Sequence, residues 1–99
     1  MGAKGAVGSG FNFAAPIYRR LLEAFARGDL EAARTEQFRG VQLIQLFVRH
    51  GYMGAAKAAM GMLGIDVGPA RLPNVTLSAA QQASLRTELE ALGFFDWVR

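Results

Sequence analysis

This chain of 99 residues has no cysteine and only one histidine, and this composition excludes several kinds of site. Without cysteine the chain has neither a disulfide nor a thiolate metal ligand, and its composition is compatible with a reducing compartment. His50 stands alone at the predicted end of a helix, so we predict no metal and no cofactor. Ser9, Ser78 and Ser84 likewise have no pattern of histidine and carboxylate that would support a catalytic triad.

The chain also lacks a long apolar run and a stripe of basic residues. Its most hydrophobic stretch falls short of the roughly 18 residues of a membrane helix, because polar residues interrupt it at Arg39, Gln42, Gln45 and Arg49. Glycines from Gly2 to Gly10 break any apolar segment of a signal peptide, and we expect a cytoplasmic protein. The net charge is +3, but the basic residues are scattered among acidic ones, which argues against a nucleic-acid partner.

The first half of the chain predicts one strand and two helices. The apolar segment Lys4–Ser9 is typical of a short buried strand of a parallel sheet. Asn12 is a candidate N-cap for a helix over residues 14–27, which Gly28 ends. Asp29 then caps a helix over residues 30–50, whose apolar arc is too wide for one partner, so we expect it to be mostly buried.

The second half predicts two more helices. One covers residues 53–63 and is rich in alanine and glycine, and an irregular loop with two prolines and two glycines follows over residues 64–74. Ser78 caps the last helix, Gly93 ends it, and we expect residues 94–97 to fold back onto the core. We predict that the aromatic residues anchor the core, namely Phe25, Phe38, Phe47, Phe94, Phe95 and Trp97.

The composition leaves two interpretations open. Hydrophobic residues make up 52% of the chain, slightly above the usual share for a soluble domain. This excess fits a surface that a partner covers, and it fits an ordinary alanine-rich helical core equally well. At this length, one unit with a single modest core is expected.

Two motifs resemble the carboxyl-terminal part of a known family. The strand end Gly8-Ser9-Gly10-Phe11-Asn12 resembles a turn that lyases of the family write as Gly-Ser-Thr-Tyr-Asn, although glycine and phenylalanine replace the threonine and tyrosine. The segment Gly68-Pro69-Ala70-Arg71-Leu72-Pro73 resembles the family turn Gly-Pro-Pro-Arg-Leu-Pro. The family is that of dihydrodipicolinate synthase and N-acetylneuraminate lyase, and the resemblance is closest to the lyases.

The resemblance implies a fold and a reaction. Members are class I aldolases on a (β/α)8 TIM barrel, and they join a lysine to pyruvate as an imine while a C–C bond breaks or forms. We therefore expect a mainly α chain: residues 1–28 as the last βα unit of the barrel, and residues 29–99 as a three-helix extension. The implied partners are pyruvate and a sugar-derived or other aldehyde, with no nucleic acid and no membrane, in a homo-oligomer. The Schiff-base lysine lies outside this chain, which we expect to be inactive alone.

The resemblance also implies site residues. The Gly8 carbonyl is expected near the imine and the Ser9 hydroxyl near the polar chain of the substrate, although Ser9 could instead cap the turn. The resemblance places Met53 at the substrate mouth, and packing in the core is the alternative. We expect Lys57 to tie its helix to a loop, and Arg71 to bond helix-end carbonyls or a carboxylate.

A second function remains open on the same sequence. A severed βα unit has an open sheet edge and apolar helix faces, so the chain could be a non-enzymatic helical association module.

Overall fold

Five α-helices form the regular structure in a computed structural model of the chain, which describes residues 2–99. The helices are α1 (Phe11–Ala26), α2 (Leu30–Arg49), α3 (Tyr52–Met62), α4 (Ala79–Leu92) and α5 (Phe94–Trp97). The prediction of a mainly α chain is confirmed. α1 and α2 pack along one another, and α3, α4 and α5 close the remaining sides of the core.

The segment before α1 differs from the prediction. Lys4–Ser9 forms no strand, and the part of the chain that the structure describes contains no β-strand at all. A strand is stable only when a neighbouring strand accepts and donates its backbone hydrogen bonds. Residues 2–99 offer no such neighbour, and Val7 is fully exposed.

α1 begins earlier than predicted and contains a kink. Asn12 is not the N-cap: it lies inside the helix, and its side-chain amide donates a hydrogen bond of 3.1 Å to the Ser9 carbonyl. Ala14 leaves the helical conformation (φ −119°, ψ 15°) just before Pro16. Proline has no N–H and its ring crowds the preceding turn, so the helix bends there.

Most other helix ends were predicted from local chemistry and are confirmed. Gly28 and Gly93 adopt positive φ values of 79° and 98° after α1 and α4, a conformation that favours glycine. The Asp29 side chain accepts a hydrogen bond from a backbone N–H of the first turn of α2. Ser78 and Gln81 exchange hydrogen bonds as a capping box at the start of α4.

A single aromatic cluster occupies the core between the helices. Phe13 lies with its ring centroid 4.7 Å from that of Phe47, and Phe94 of α5 lies 6.5 Å from both. Phe47 and Phe94 are fully buried, so the predicted return of residues 94–97 onto the core is confirmed.

Two of the predicted core aromatics are not in the core. Phe25 is 64% exposed and Phe38 60% exposed, and α2 as a whole is only partly buried. The physical reason for Phe38 is that α1 and α3 cover one side of α2, whereas the apolar arc of α2 extends beyond that side. Val41 and Val48 of α2 are exposed for the same reason.

A polar cluster that sequence reasoning missed connects α1, α2 and α5. Glu36 is 9% exposed, and its Oε1 accepts hydrogen bonds from Arg20 Nε (3.1 Å) and Arg39 Nη1 (3.0 Å). Arg20 also donates to the Trp97 carbonyl at 2.7 Å, and the Arg39 guanidinium lies 5.2 Å from the Trp97 ring centroid. These contacts fasten the end of the chain to the first two helices.

A second polar pair joins the end of α2 to α4, where His50 Nε2 contacts Glu88 Oε2. Over residues 2–99 we find no helix with the length and apolar character needed to span a membrane.

Candidate substrate-binding cleft

A cleft of about 290 Å³ lies between the amino-terminal turn of α1 and helix α3. It is lined by Ser9, Asn12, Phe13, Met53, Ala56, Lys57, Met60 and Val67. Two residues that the sequence analysis selected, Ser9 and Met53, thus lie in one cleft although 44 positions separate them. Gly8 lies next to the cleft without lining it, and its carbonyl accepts a hydrogen bond from the Phe11 N–H at 3.2 Å.

The Ser9 side chain does not cap α1. Its hydroxyl forms a hydrogen bond of 2.9 Å with the Tyr52 hydroxyl at the start of α3. The turn is held instead by the Ser9 backbone carbonyl, which accepts from the Asn12 backbone N–H at 3.2 Å and from its side-chain amide. The Ser9 hydroxyl is therefore at the cleft and bonded to helix α3, rather than used for local turn formation.

Tyr52 was not selected by the sequence analysis, and it belongs to a group of hydroxyls around Gly10. A Cβ at Gly10 would lie 3.6 Å from Tyr52 Oη and 3.9 Å from Tyr18 Oη. Burial raises the pKa of the Tyr18 phenol above its ordinary value, and the neighbouring Tyr52 raises it further. Glycine at position 10 leaves room for both rings to bring their hydroxyls close to the turn.

Met53 and Lys57 form the α3 side of the cleft. Met53 is 37% exposed, so it does not pack into the core as the alternative prediction had it. Lys57 Nζ donates a long hydrogen bond of 3.5 Å to the Val67 carbonyl. This contact is the predicted tie between helix and loop, and it places an ammonium group on the wall of the cleft.

The loop that follows α3 is held close to the helix by a glycine. A Cβ on Gly54 would lie 2.4 Å from the Val75 carbonyl oxygen, so only glycine allows the loop to approach this closely. Within the loop, Thr76 accepts a hydrogen bond from the Ala70 N–H at 3.0 Å. Arg71 is exposed, and its guanidinium makes none of the bonds expected of it within residues 2–99.

The cleft can bind a polar ligand but carries little catalytic chemistry of its own. It offers one hydroxyl, one amide, one ammonium group and an apolar wall of two methionines and a phenylalanine. Across the described ranges, no three side chains of histidine, cysteine, aspartate or glutamate converge to hold a metal ion. These groups suit the recognition of a hydroxylated molecule rather than bond breaking without further residues.

The relatives of the chain are lyases. The chain is 36% identical over 86 residues to an N-acetylneuraminate lyase of Rhizobium meliloti (strain 1021), an alignment that covers 87% of this chain and 29% of the relative. The N-acetylneuraminate lyase of Rattus norvegicus is 34% identical over 99 residues, covering 98% of this chain and 31% of that protein.

Solved structures agree with the sequence matches. The Proteus mirabilis N-acetylneuraminate lyase superposes with a TM-score of 0.86 at 39% identity, over 94% of this chain and 32% of that chain. The N-acetylneuraminate lyase of Aliivibrio salmonicida, also described as a sialic acid aldolase, gives a TM-score of 0.85 at 39% identity, over 94% and 31% of the two chains. This chain thus spans less than a third of each of these relatives. Residues 1–92 match the dihydrodipicolinate synthetase family, and the chain therefore belongs to that family.

Proposed function

We propose that this chain forms the carboxyl-terminal part of a pyruvate-dependent class I aldolase of the N-acetylneuraminate lyase kind. The observation that carries the proposal is the agreement of helix packing and sequence with two such lyases over 94% of the chain. The cleft adds support, because it brings together Ser9 and Met53, the side chains that the family resemblance assigns to the substrate mouth.

In this proposal residues 1–28 close a (β/α)8 barrel and residues 29–99 pack outside it. Lys4–Ser9 would find its strand partners in the barrel, and the exposed rings of Phe25 and Phe38 would find apolar neighbours there. Exposed phenylalanine side chains are costly in water, so a covering surface stabilises them. A homo-oligomer in the cytoplasm is part of the same proposal.

In the proposed reaction, the rest of the enzyme supplies the reactive lysine and this chain supplies groups at the substrate mouth. A lysine outside the chain forms an imine with the keto group of pyruvate. When the C–C bond to the aldehyde breaks, the imine accepts its electron pair and becomes an enamine; when the bond forms, the enamine donates the pair to the aldehyde carbon. The Gly8 carbonyl, the Ser9 hydroxyl and Met53 shape the mouth through which a sugar-derived aldehyde enters. Lys57 is tied to the Val67 carbonyl and serves the structure rather than the imine.

A fusion protein tests this proposal. The segment of the Proteus mirabilis lyase that matches this chain is replaced by residues 1–99, and the fusion is treated with pyruvate and borohydride, which reduces an imine to a stable adduct. We expect an adduct in the fusion, none in the isolated 99-residue chain, and cleavage of N-acetylneuraminate by the fusion only. A folded fusion without adduct or cleavage would refute the proposal, as would an adduct on Lys57 of the isolated chain.

A second candidate function rests on the exposed apolar side chains of α1 and α2. Leu22 is 67% exposed and Val48 62% exposed, alongside Phe25 and Phe38. Exposed apolar side chains of this kind suit a non-enzymatic helical association module that pairs with copies of itself. Light scattering at several concentrations distinguishes the two functions, because a folded chain that stays monomeric throughout contradicts self-association.

A further inference from the structure

We propose that Tyr52 is a positioning residue for Ser9: the hydrogen bond between the two hydroxyls holds the Ser9 side chain in one orientation, in which it meets a polyhydroxylated substrate in the cleft. The inference deepens the proposed function and rests on it. Tyr52 itself does not line the cleft, and it acts through Ser9.

The geometry around Ser9 carries this inference. The hydroxyl of Ser9 has one bonded partner within the described residues, Tyr52 Oη at 2.9 Å, a normal length for an O–H···O bond. Tyr52 is itself held in place, because its ring packs edge-on against buried Phe47 with centroids 6.0 Å apart. A serine that would otherwise rotate freely is thereby bonded to a side chain anchored in the core.

The bond to Tyr52 also limits what Ser9 can offer a ligand. A serine hydroxyl has one proton and two lone pairs, and the bond to Tyr52 uses either the proton or one of the lone pairs. In both cases Ser9 keeps at least one lone pair free, so it can accept a hydrogen bond from a hydroxyl of a sugar chain in the cleft.

Gly10 explains why the tyrosine can reach the turn. The Tyr52 hydroxyl lies 3.6 Å from the position that a Cβ on Gly10 would occupy. A branched side chain there would extend further toward the phenol and compete with it for this space. The family motif has threonine at this position and this chain has glycine, so the phenol fills a place that the backbone leaves open.

Kinetics of the fusion protein test the role. Tyr52→Phe removes the hydroxyl and keeps the ring, and we expect KM for N-acetylneuraminate to rise about three- to tenfold, the effect of one hydrogen bond, with kcat changed by less than about twofold. Tyr18→Phe is the matched control, since the Tyr18 hydroxyl makes no bond to Ser9, and we expect its KM to equal that of the unmodified fusion. In the Ser9→Ala background Tyr52→Phe should have no further effect.

Three outcomes overturn the positioning role: an unchanged KM in Tyr52→Phe, an equal rise in Tyr18→Phe, or an additive effect with Ser9→Ala. A folded fusion that lacks all cleavage refutes the proposed function instead, and the inference with it. An active fusion indifferent to Tyr52→Phe refutes the inference alone.

A second measurement needs no fusion. In the 99-residue chain carrying ¹³Cζ-labelled tyrosine, Ser9→Ala should shift the NMR signal of Tyr52 and leave that of Tyr18 in place. If the Tyr52 signal does not move, the Ser9–Tyr52 bond is absent in solution and the inference fails, whether or not a fusion folds.

Discussion

Two glycines of α3 should respond in opposite directions to the same substitution. A Cβ on Gly54 would lie 2.4 Å from the Val75 carbonyl oxygen and 3.5 Å from Leu77 Cδ2. A Cβ on Gly61 would meet no atom within 4 Å. Alanine favours the helix over glycine by up to about 1 kcal/mol at either position, so the difference between the two variants measures the contact at Gly54.

The size of that difference follows from the atoms involved. Because the obstacle is a backbone carbonyl and not the end of a flexible side chain, the loop itself has to move, at a cost of about 1–3 kcal/mol. We therefore expect Gly61→Ala to raise the free energy of unfolding slightly and Gly54→Ala to lie about 1–3 kcal/mol below it. In a chain of this size each kcal/mol corresponds to about 4–8 °C in Tm.

Thermal and urea unfolding followed by circular dichroism measure both variants. The result that refutes this reasoning is a pair of coincident unfolding curves, which would show that the loop does not approach α3 as closely as the structure has it. Gly61→Ala serves as the matched control, because it makes the same chemical change in the same helix without a new contact.

Two further predictions concern polar groups. Glu36→Ala leaves two partly buried guanidinium groups without their shared acceptor, and urea unfolding should show a loss of about 1–3 kcal/mol. Glu23→Ala, at an exposed pair 3.9 Å apart, should cost less than about 0.5 kcal/mol, and equal losses would contradict the role given to Glu36. The raised pKa of Tyr18 predicts a stabilising contribution that is complete below the unfolded value of about 10 and is lost as pH rises through the folded value. Urea midpoints from pH 9 to about pH 12 should therefore fall less steeply in Tyr18→Phe, and equal slopes would speak against the burial of this phenol.

The sequence by itself determined where most helices begin and end. Helix ends depend on residues that act within a few positions of themselves, through a side-chain cap at Asp29 and Ser78 or a positive φ at Gly28 and Gly93. The position of a helix end can therefore be predicted without the rest of the fold. The family resemblance also selects Ser9 and Met53, which the fold brings into one cleft.

Only the tertiary structure decided burial and long-range pairing. Phe38 has the same aromatic character as Phe47, yet one is exposed and the other is at the centre of the core, because the other helices cover one side of α2 and not the other. The bond of Ser9 to Tyr52 spans 43 positions and that of Arg20 to Trp97 spans 77. Capping is satisfied by atoms a few residues away, whereas burial and these bonds depend on which distant segments the fold brings together.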